Sequence, residues 1–316
     1  MTKNGKQSGY WTVNGEAISG NLKGGILMLV SGAGFTLYLL MNKILSADLH
    51  PIVLAIARAF FGIVFALPFV LRSGLSSLST RRPWMLVGRS LCGTIGFTLA
   101  IISVSDLYSM TLAQFNAISF TRPLFVTILA ALLLGETVGR HRWMAVLMGF
   151  IGVIIMVLPG LNLYGGTSPS PQGQVDFSIA TALGSAFFLA AAIVMVKFLT
   201  AELKPMVLLF YANLFSTILL VPFAIAYWSD IPVNLWGAII LMCLFGFLSQ
   251  LCFISAMSAG DASFLSPFDY LRLPMSAVAD FAVYRLVPGL NVWFGAIIIV
   301  GSTLYISWRE RRRRQV

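Results

Sequence analysis

Apolar residues along this chain do not alternate with polar ones at the period of a strand or of a surface helix. They come in long, nearly unbroken blocks separated by short clusters of charge, Gly and Pro. A helix needs about 20 consecutive apolar residues to cross a bilayer. Ten blocks approach that length, at approximately 24–43, 51–71, 84–104, 108–134, 143–158, 177–198, 205–228, 235–257, 263–284 and 290–308. The pattern predicts an all-α polytopic membrane protein with ten transmembrane helices. The longest polar connection, Gly160–Asp176, carries Gly165, Gly166, Pro169 and Pro171 and leaves five blocks on either side. The expected organisation is a tail over 1–23, a five-helix unit over 24–158, a linker over 159–176, a second five-helix unit over 177–308 and a basic tail over 309–316.

Composition narrows the function classes. Of 316 residues, 58% are hydrophobic and 10% are charged, against roughly a quarter charged in soluble domains; the mean hydropathy is +0.89. A soluble enzyme, a nucleic-acid reader and a disordered scaffold are excluded. The net charge of +10 would suggest nucleic acid on a soluble domain. Here most of the 21 Lys and Arg residues flank the blocks, among them Lys23, Arg72, Arg81, Arg82, Arg140, Arg142, Lys197, Lys204 and Arg311–Arg314. With ten spans these all fall on the side of the termini, and only Lys43 and Arg285 fall on the other. The positive-inside rule therefore predicts both termini in the cytoplasm. Trp84, Trp143, Trp228, Trp236, Trp293 and Trp308 stand at or near block ends, where an indole buries its ring and keeps its N–H near water. The polar stretch before Gly24 has no apolar core, so the first span is expected to act as the insertion signal. Cys92, Cys243 and Cys252 are dispersed inside blocks and form neither a disulfide framework nor a zinc pattern. No metal or cofactor is expected.

The second half aligns with the first at an offset of 150 residues: Arg122 with Arg272, Trp143 with Trp293, Phe120 with Tyr270, Asn116 with Ser266 and Ser105 with Ser255. With five helices per half the copies run in opposite directions, the inverted-repeat arrangement of secondary transporters, whose site lies between repeats near the midplane. The stretch LAQFNAISFTRPLFVTILAALLLGE followed by RHRWMAVLMGFIGVIIMV resembles the end of an EamA domain of the drug/metabolite transporter superfamily. ASFLSPFDYLRLPMSAVADFAVYR followed by NVWFGAIIIVGSTLYIS is similar to its second copy. Gly135 and Glu136 fit the family pattern, whereas Arg285 and Leu286 replace that pair in the second half. Pro267–Leu273 resembles the branch that holds S-adenosylmethionine, flavin and organic-anion carriers. The resemblance implies two EamA-like five-helix repeats and a central cavity lined by helices 1, 3, 4, 6, 8 and 9.

Ionisable groups inside a bilayer cost about 2.5–3.5 kcal/mol each on insertion scales, so they are functional candidates by default. Arg122 and Arg272 lie roughly 21 Å and 14 Å along their spans. Two planar forks on repeat-related helices make a candidate anion clamp. Asp269 precedes Arg272 by one helical turn, so an internal ion pair is the competing reading there. Arg58 is a candidate for an ion pair or a gate, and Asp269 and Asp280 are the candidates for proton coupling. Arg89 stands close enough to its block end to snorkel to the interface. Gln114, Asn116, Tyr38 and Gln250 are candidate hydrogen-bonding ligands, and Phe120 and Tyr270 candidate stacking faces. Polar groups between membrane helices also serve as interhelical glue. The stretch Ser31-Gly32-Ala33-Gly34 and the Gly149/Gly152 spacing read as close helix packing.

The function these features predict is a secondary carrier, or a facilitative one, moving a small and at least partly anionic organic metabolite by alternating access. An amino acid, a flavin or an S-adenosylmethionine-like metabolite is the alternative cargo. No ATP-binding signature is present, so a gradient or exchange would supply the energy. An integral-membrane lipid enzyme is the competing class, but His50 and His141 lie in connections and the cysteines are dispersed. Short connections leave little chain for the re-entrant loops of a channel filter. Expected partners are the substrate and membrane lipid, not nucleic acid, with the chain a monomer or homodimer in a bacterial inner membrane.

Overall fold

The computed structural model describes residues 12–13, 16–17, 20–73, 80–105, 110–134, 140–157, 172–199, 203–228, 230–259, 268 and 270–314. Two short strands, β1 (Thr12–Val13) and β2 (Glu16–Ala17), pair antiparallel ahead of the helices. Then follow α1 (Gly20–Leu45), α2 (Pro51–Ser73) and α3 (Pro83–Val104). Next are α4 (Leu112–Ser119), α5 (Arg122–Leu134) and α6 (Arg140–Val157). The second half holds α7 (Gln172–Leu199), α8 (Pro205–Ala226), α9 (Trp236–Ala259), α10 (Arg272–Tyr284) and α11 (Leu290–Arg314). Among the described residues, six helices are long and apolar enough to cross a membrane, and Val292–Ser302 is a shorter apolar stretch.

The helices differ from the sequence expectation at two prolines and at two helix ends. The block 108–134 is two helices, because Pro123 has no N–H to give the Ser119 carbonyl. The path tightens there to three-residue bonds: Phe120 N–H donates to Ala117 O (3.3 Å), Thr121 to Ile118 (2.9 Å) and Leu124 to Thr121 (2.9 Å). Pro274 leaves the same mark in the second half, where Leu271 N–H donates to Phe268 O (3.3 Å) and Leu273 to Tyr270 (3.1 Å). Finally, α11 runs through Arg314, so the basic tail is helical, and α7 begins inside the expected linker at Gln172.

The most extensive helix pairs are α1 with α9, α3 with α7, α6 with α11 and α2 with α8; α4 packs on α10. Each joins an element before residue 158 to one after 171, so the two halves interleave. Small residues permit this. A Cβ at Gly152 would stand 2.9 Å from the Gly295 carbonyl oxygen across the α6–α11 contact. Between α1 and α9, Ser31 Oγ donates to Ser249 O (2.9 Å) and Ser249 Oγ returns the bond to Ser31 O (2.8 Å). Tyr38, Leu39, Leu54, Ile101, Leu112, Phe115, Ile239 and Leu273 belong to one buried core. Phe60, Ile218, Ile225, Phe294 and Ile297 face outward, as a lipid-facing surface requires. Trp84, Trp143, Trp228, Trp236, Trp293 and Trp308 are all exposed, and Trp143 and Trp293 each occupy the fourth residue of their helices.

Candidate functional site

Three of the candidate residues meet around Arg58. This side chain projects from α2, and its Nη2 donates to Gln250 Oε1 on α9 (3.1 Å). Its guanidinium carbon lies 3.9 Å from the Phe97 ring centroid and 5.7 Å from that of Tyr38. Both rings are within reach of a cation–π attraction to the guanidinium. Arg58 borders a cleft between α2, α3 and α8 together with Thr94, Phe97, Thr98 and Ser216. Thr94 Oγ1 and Ser216 Oγ approach to 2.6 Å. Each also bonds a carbonyl of its own helix, Ser90 at 2.8 Å and Ala212 at 2.7 Å.

Arg89, expected to snorkel, instead turns inward. It is buried, and its Nη1 donates to the Leu208 carbonyl on α8 (3.1 Å). Counting along one helix places Arg89 near an interface, but α8 covers that face of α3. Arg89 lies near enough to Arg58 for the two like charges to interact. Tyr38 Oη, Arg58 Nε and Arg89 Nε are all buried without a hydrogen-bond partner.

Arg272 opens α10 and is also buried. Its Nη2 reaches Ser31 Oγ (3.4 Å), and its guanidinium stands 4.8 Å from the Phe35 ring and 5.6 Å from that of Phe253. Arg122 opens α5 at the equivalent place and is half-buried. The two tightened turns touch: Phe120 and Tyr270 meet edge to face with centroids 5.0 Å apart. Asn116 is spent on its own helix, its Nδ2 donating to Leu112 O (3.0 Å). Gln114 completes a reciprocal cap with Thr111: its N–H donates to Thr111 Oγ1 and its Oε1 accepts from Thr111 N–H, both at 3.1 Å. Asp269, and with it the expected Asp269–Arg272 pair, lies outside the described residues.

A second charged cluster closes the end of the bundle where α1 finishes. Asp280, fully buried on α10, accepts the Ala113 N–H at Oδ2 (2.9 Å) and draws that of Leu112 as well. A carboxylate is at its most stable on the free N–H groups of a helix start. Lys43 attracts the same carboxylate, donates to the Met110 carbonyl (2.8 Å) and lies 4.7 Å from the Tyr284 ring. Lys43 was expected at the membrane surface, yet it is 4% exposed, because α1 continues to Leu45 and α4 packs over it. Beyond this end, between α1 and α2, His50 stacks on Tyr227 at 4.3 Å and accepts the Ile52 N–H (3.3 Å). Partial burial lowers its pKa from the ordinary histidine value.

Sequence reasoning singled out Arg58, Tyr38 and Gln250 separately and missed Phe97, Thr94 and Ser216. They come from α1, α2, α3, α8 and α9, and only the packing of these helices brings them together.

A model of the EamA-like transporter family matches residues 22–158 and again 176–308. The S-adenosylmethionine uptake transporter of Rickettsia prowazekii (strain Madrid E) is 30% identical over 86% of this chain and 88% of its own length. The riboflavin transporter of Vibrio cholerae serotype O1 is 31% identical over 93% and 96%. The pseudopaline exporter of Pseudomonas aeruginosa is 24% identical over 90% and 96%. A solved crystal structure, 18% identical, shares the fold with a TM-score of 0.58 over 90% of this chain and 98% of its own.

Proposed function

We propose, from the premise that this chain belongs to the EamA-like transporter family, that it is a secondary carrier of a small, at least partly anionic organic metabolite. It is a multi-pass membrane protein of a transporter family rather than of an enzyme family. In the proposed arrangement ten spans form two inverted five-helix repeats, both termini are cytoplasmic, and the chain sits in a bacterial inner membrane. The halves rock about a central site, driven by a gradient or by exchange.

One observation carries the anionic reading. Among the described residues within the helices, Arg58 is half-buried and Arg89 buried, and their neighbours are an amide oxygen, a backbone carbonyl and aromatic rings, while the buried carboxylate Asp280 is engaged by α4 and Lys43. Excess positive charge in a low-dielectric interior favours an anion. The aromatic rings beside Arg58 and Arg272 favour a cargo with a flat portion as well. S-adenosylmethionine, with its carboxylate and adenine, and a flavin each match part of that description, and an amino acid matches the carboxylate alone.

A thermal-shift screen of the purified protein against carboxylates, phosphates, amino acids, nucleosides, flavins and S-adenosylmethionine tests this. A specific binder stabilises by RT ln(1 + [L]/Kd). The expected hits carry a carboxylate or phosphate and are then taken up by proteoliposomes. Stabilisation by neutral or cationic compounds alone would sink the anionic reading.

A further inference from the structure

We propose that the anionic group of the cargo is anchored at Arg58, in the cleft between α2, α3 and α8, with Tyr38 and Arg89 as further donors. This rests on the carrier reading above and moves the anchor away from the Arg122/Arg272 pair. It also moves it toward α2 and α8, the second and seventh of the ten expected spans, which are not among those that the family resemblance assigns to the cavity.

Donors without acceptors make the case. Tyr38 Oη, Arg58 Nε and Arg89 Nε are buried with no partner, and buried N–H and O–H groups are rarely left so. All three are donor positions, so the missing group is an acceptor. Tyr38 lies beside the Arg58 guanidinium, and Arg58 and Arg89 repel as like charges. An anion held at Arg58 offsets that repulsion.

Among the described residues the surroundings supply no such group: Arg58 meets one amide oxygen, on Gln250, and two ring faces. Thr94 and Ser216 border the same cleft, but their hydrogen bonds run to Ser90, to Ala212 and to each other, and Arg58 Nε receives none of them. The Gln250 bond and the Phe97 and Tyr38 rings restrain the guanidinium before the ligand arrives, which lowers the ordering cost of binding. Arg272 likewise has a buried Nε that makes no hydrogen bond, and differs in place: it stands at the α1–α9 contact against Ser31, Phe35 and Phe253, whereas Arg58 borders the cleft. The chemistry recognised is a carboxylate or a phosphate, since either offers several acceptor oxygens to a planar fork.

Thermal unfolding of the purified full chain in increasing inorganic phosphate, and separately in succinate, tests the site, with choline chloride as the ionic-strength control. Wild type is expected to gain stability with at least one probe beyond the control. Arg58→Gln weakens the apparent affinity about tenfold to a hundredfold, and Tyr38→Phe weakens it roughly two- to tenfold. Arg272→Gln stays within about twofold of wild type. Phosphate and succinate responses separate the two oxyanion classes.

Anion stabilisation that survives both Arg58→Gln and Tyr38→Phe overturns the site while leaving the anionic carrier intact. So does a loss confined to Arg272→Gln. A wild type indifferent to both probes overturns the site as well. The wider metabolite screen then tells whether the carrier reading falls with it. If Arg58→Gln cannot be purified, Arg58→Lys and Tyr38→Phe decide, and wild-type affinity in both overturns the proposal.

Discussion

At the junction of α1, α4 and α10, the buried carboxylate of Asp280 meets the free N–H groups that open α4 and the attraction of Lys43. Among α2, α3 and α8, the guanidinium of Arg58 meets a glutamine oxygen and two ring faces, and its Nε meets nothing. Both regions place charge where insertion is costly. In the first, the protein supplies the counterpart itself, the Ala113 N–H at Oδ2 and the attraction of Lys43, although Oδ1 makes no hydrogen bond, and the charge ties three helices from both halves together. In the second the answering groups are one amide oxygen and two ring faces, none of which carries a negative charge. The first arrangement is what a structural fastening looks like, and the second is what a binding site looks like. Strain tolerated in the free protein is a common feature of functional sites.

The comparison makes its largest demand on Asp280. Removing one partner of a buried charge pair costs about 3–5 kcal/mol, because the other charge is left behind. Asp280→Ala should therefore lower the melting temperature of the purified protein sharply, since Lys43 and the Ala113 N–H both lose their acceptor. Asp280→Asn should cost less, its amide oxygen still accepting from Ala113, and adding Lys43→Met to it should recover part of the loss. An Asp280→Ala protein that melts with the wild type would remove this region from the structural side of the comparison.

Arg58 should respond in the opposite sense. Replacing it by Gln removes an unanswered buried charge, so the ligand-free protein should melt at or above the wild-type temperature. The insertion cost of an arginine at mid-span, about 2.5–3.5 kcal/mol, sets the upper limit of that gain. Binding is lost at the same time, the usual exchange of activity for stability at a strained site. Stability that falls as far in Arg58→Gln as in Asp280→Ala would make Arg58 a structural residue too.

The apolar blocks, the tryptophan positions and the close packing at Gly152 follow from one-dimensional pattern, because length and hydropathy alone decide them. The two clusters do not. Lys43 looks like a surface residue when its block is read alone, and is buried because the start of α4 folds over it. Arg89 looks able to reach an interface when distance is counted along α3, and turns inward because α8 offers the Leu208 carbonyl. Arg122 and Arg272 stood out because they share a repeat register, whereas Arg58 has no such partner. Its neighbours Tyr38, Phe97 and Gln250 come from three other helices, and nothing local in the chain marks them as neighbours. The tightened turns at Phe120 and Tyr270 could have been read from Pro123 and Pro274, since a proline inside an apolar block removes one backbone donor.

The smallest effect is expected at His50, just beyond the Asp280 cluster, and it guards the comparison against a false reading from pH. Burial lowers its pKa in the folded protein, so folding favours the neutral ring. The corresponding stability is complete above the unfolded value, about 6.5, and is lost as pH falls through the lower folded value. Its ring is only partly buried, so the melting temperature should fall only slightly between pH 7 and pH 5. His50→Gln should flatten that slope, because glutamine carries no proton to take up. A slope that persists unchanged in His50→Gln would belong to another group, and its loss in Asp280→Asn would assign it to the fastening. A slope that instead vanished only in Arg58→Gln would link the two regions and break the comparison.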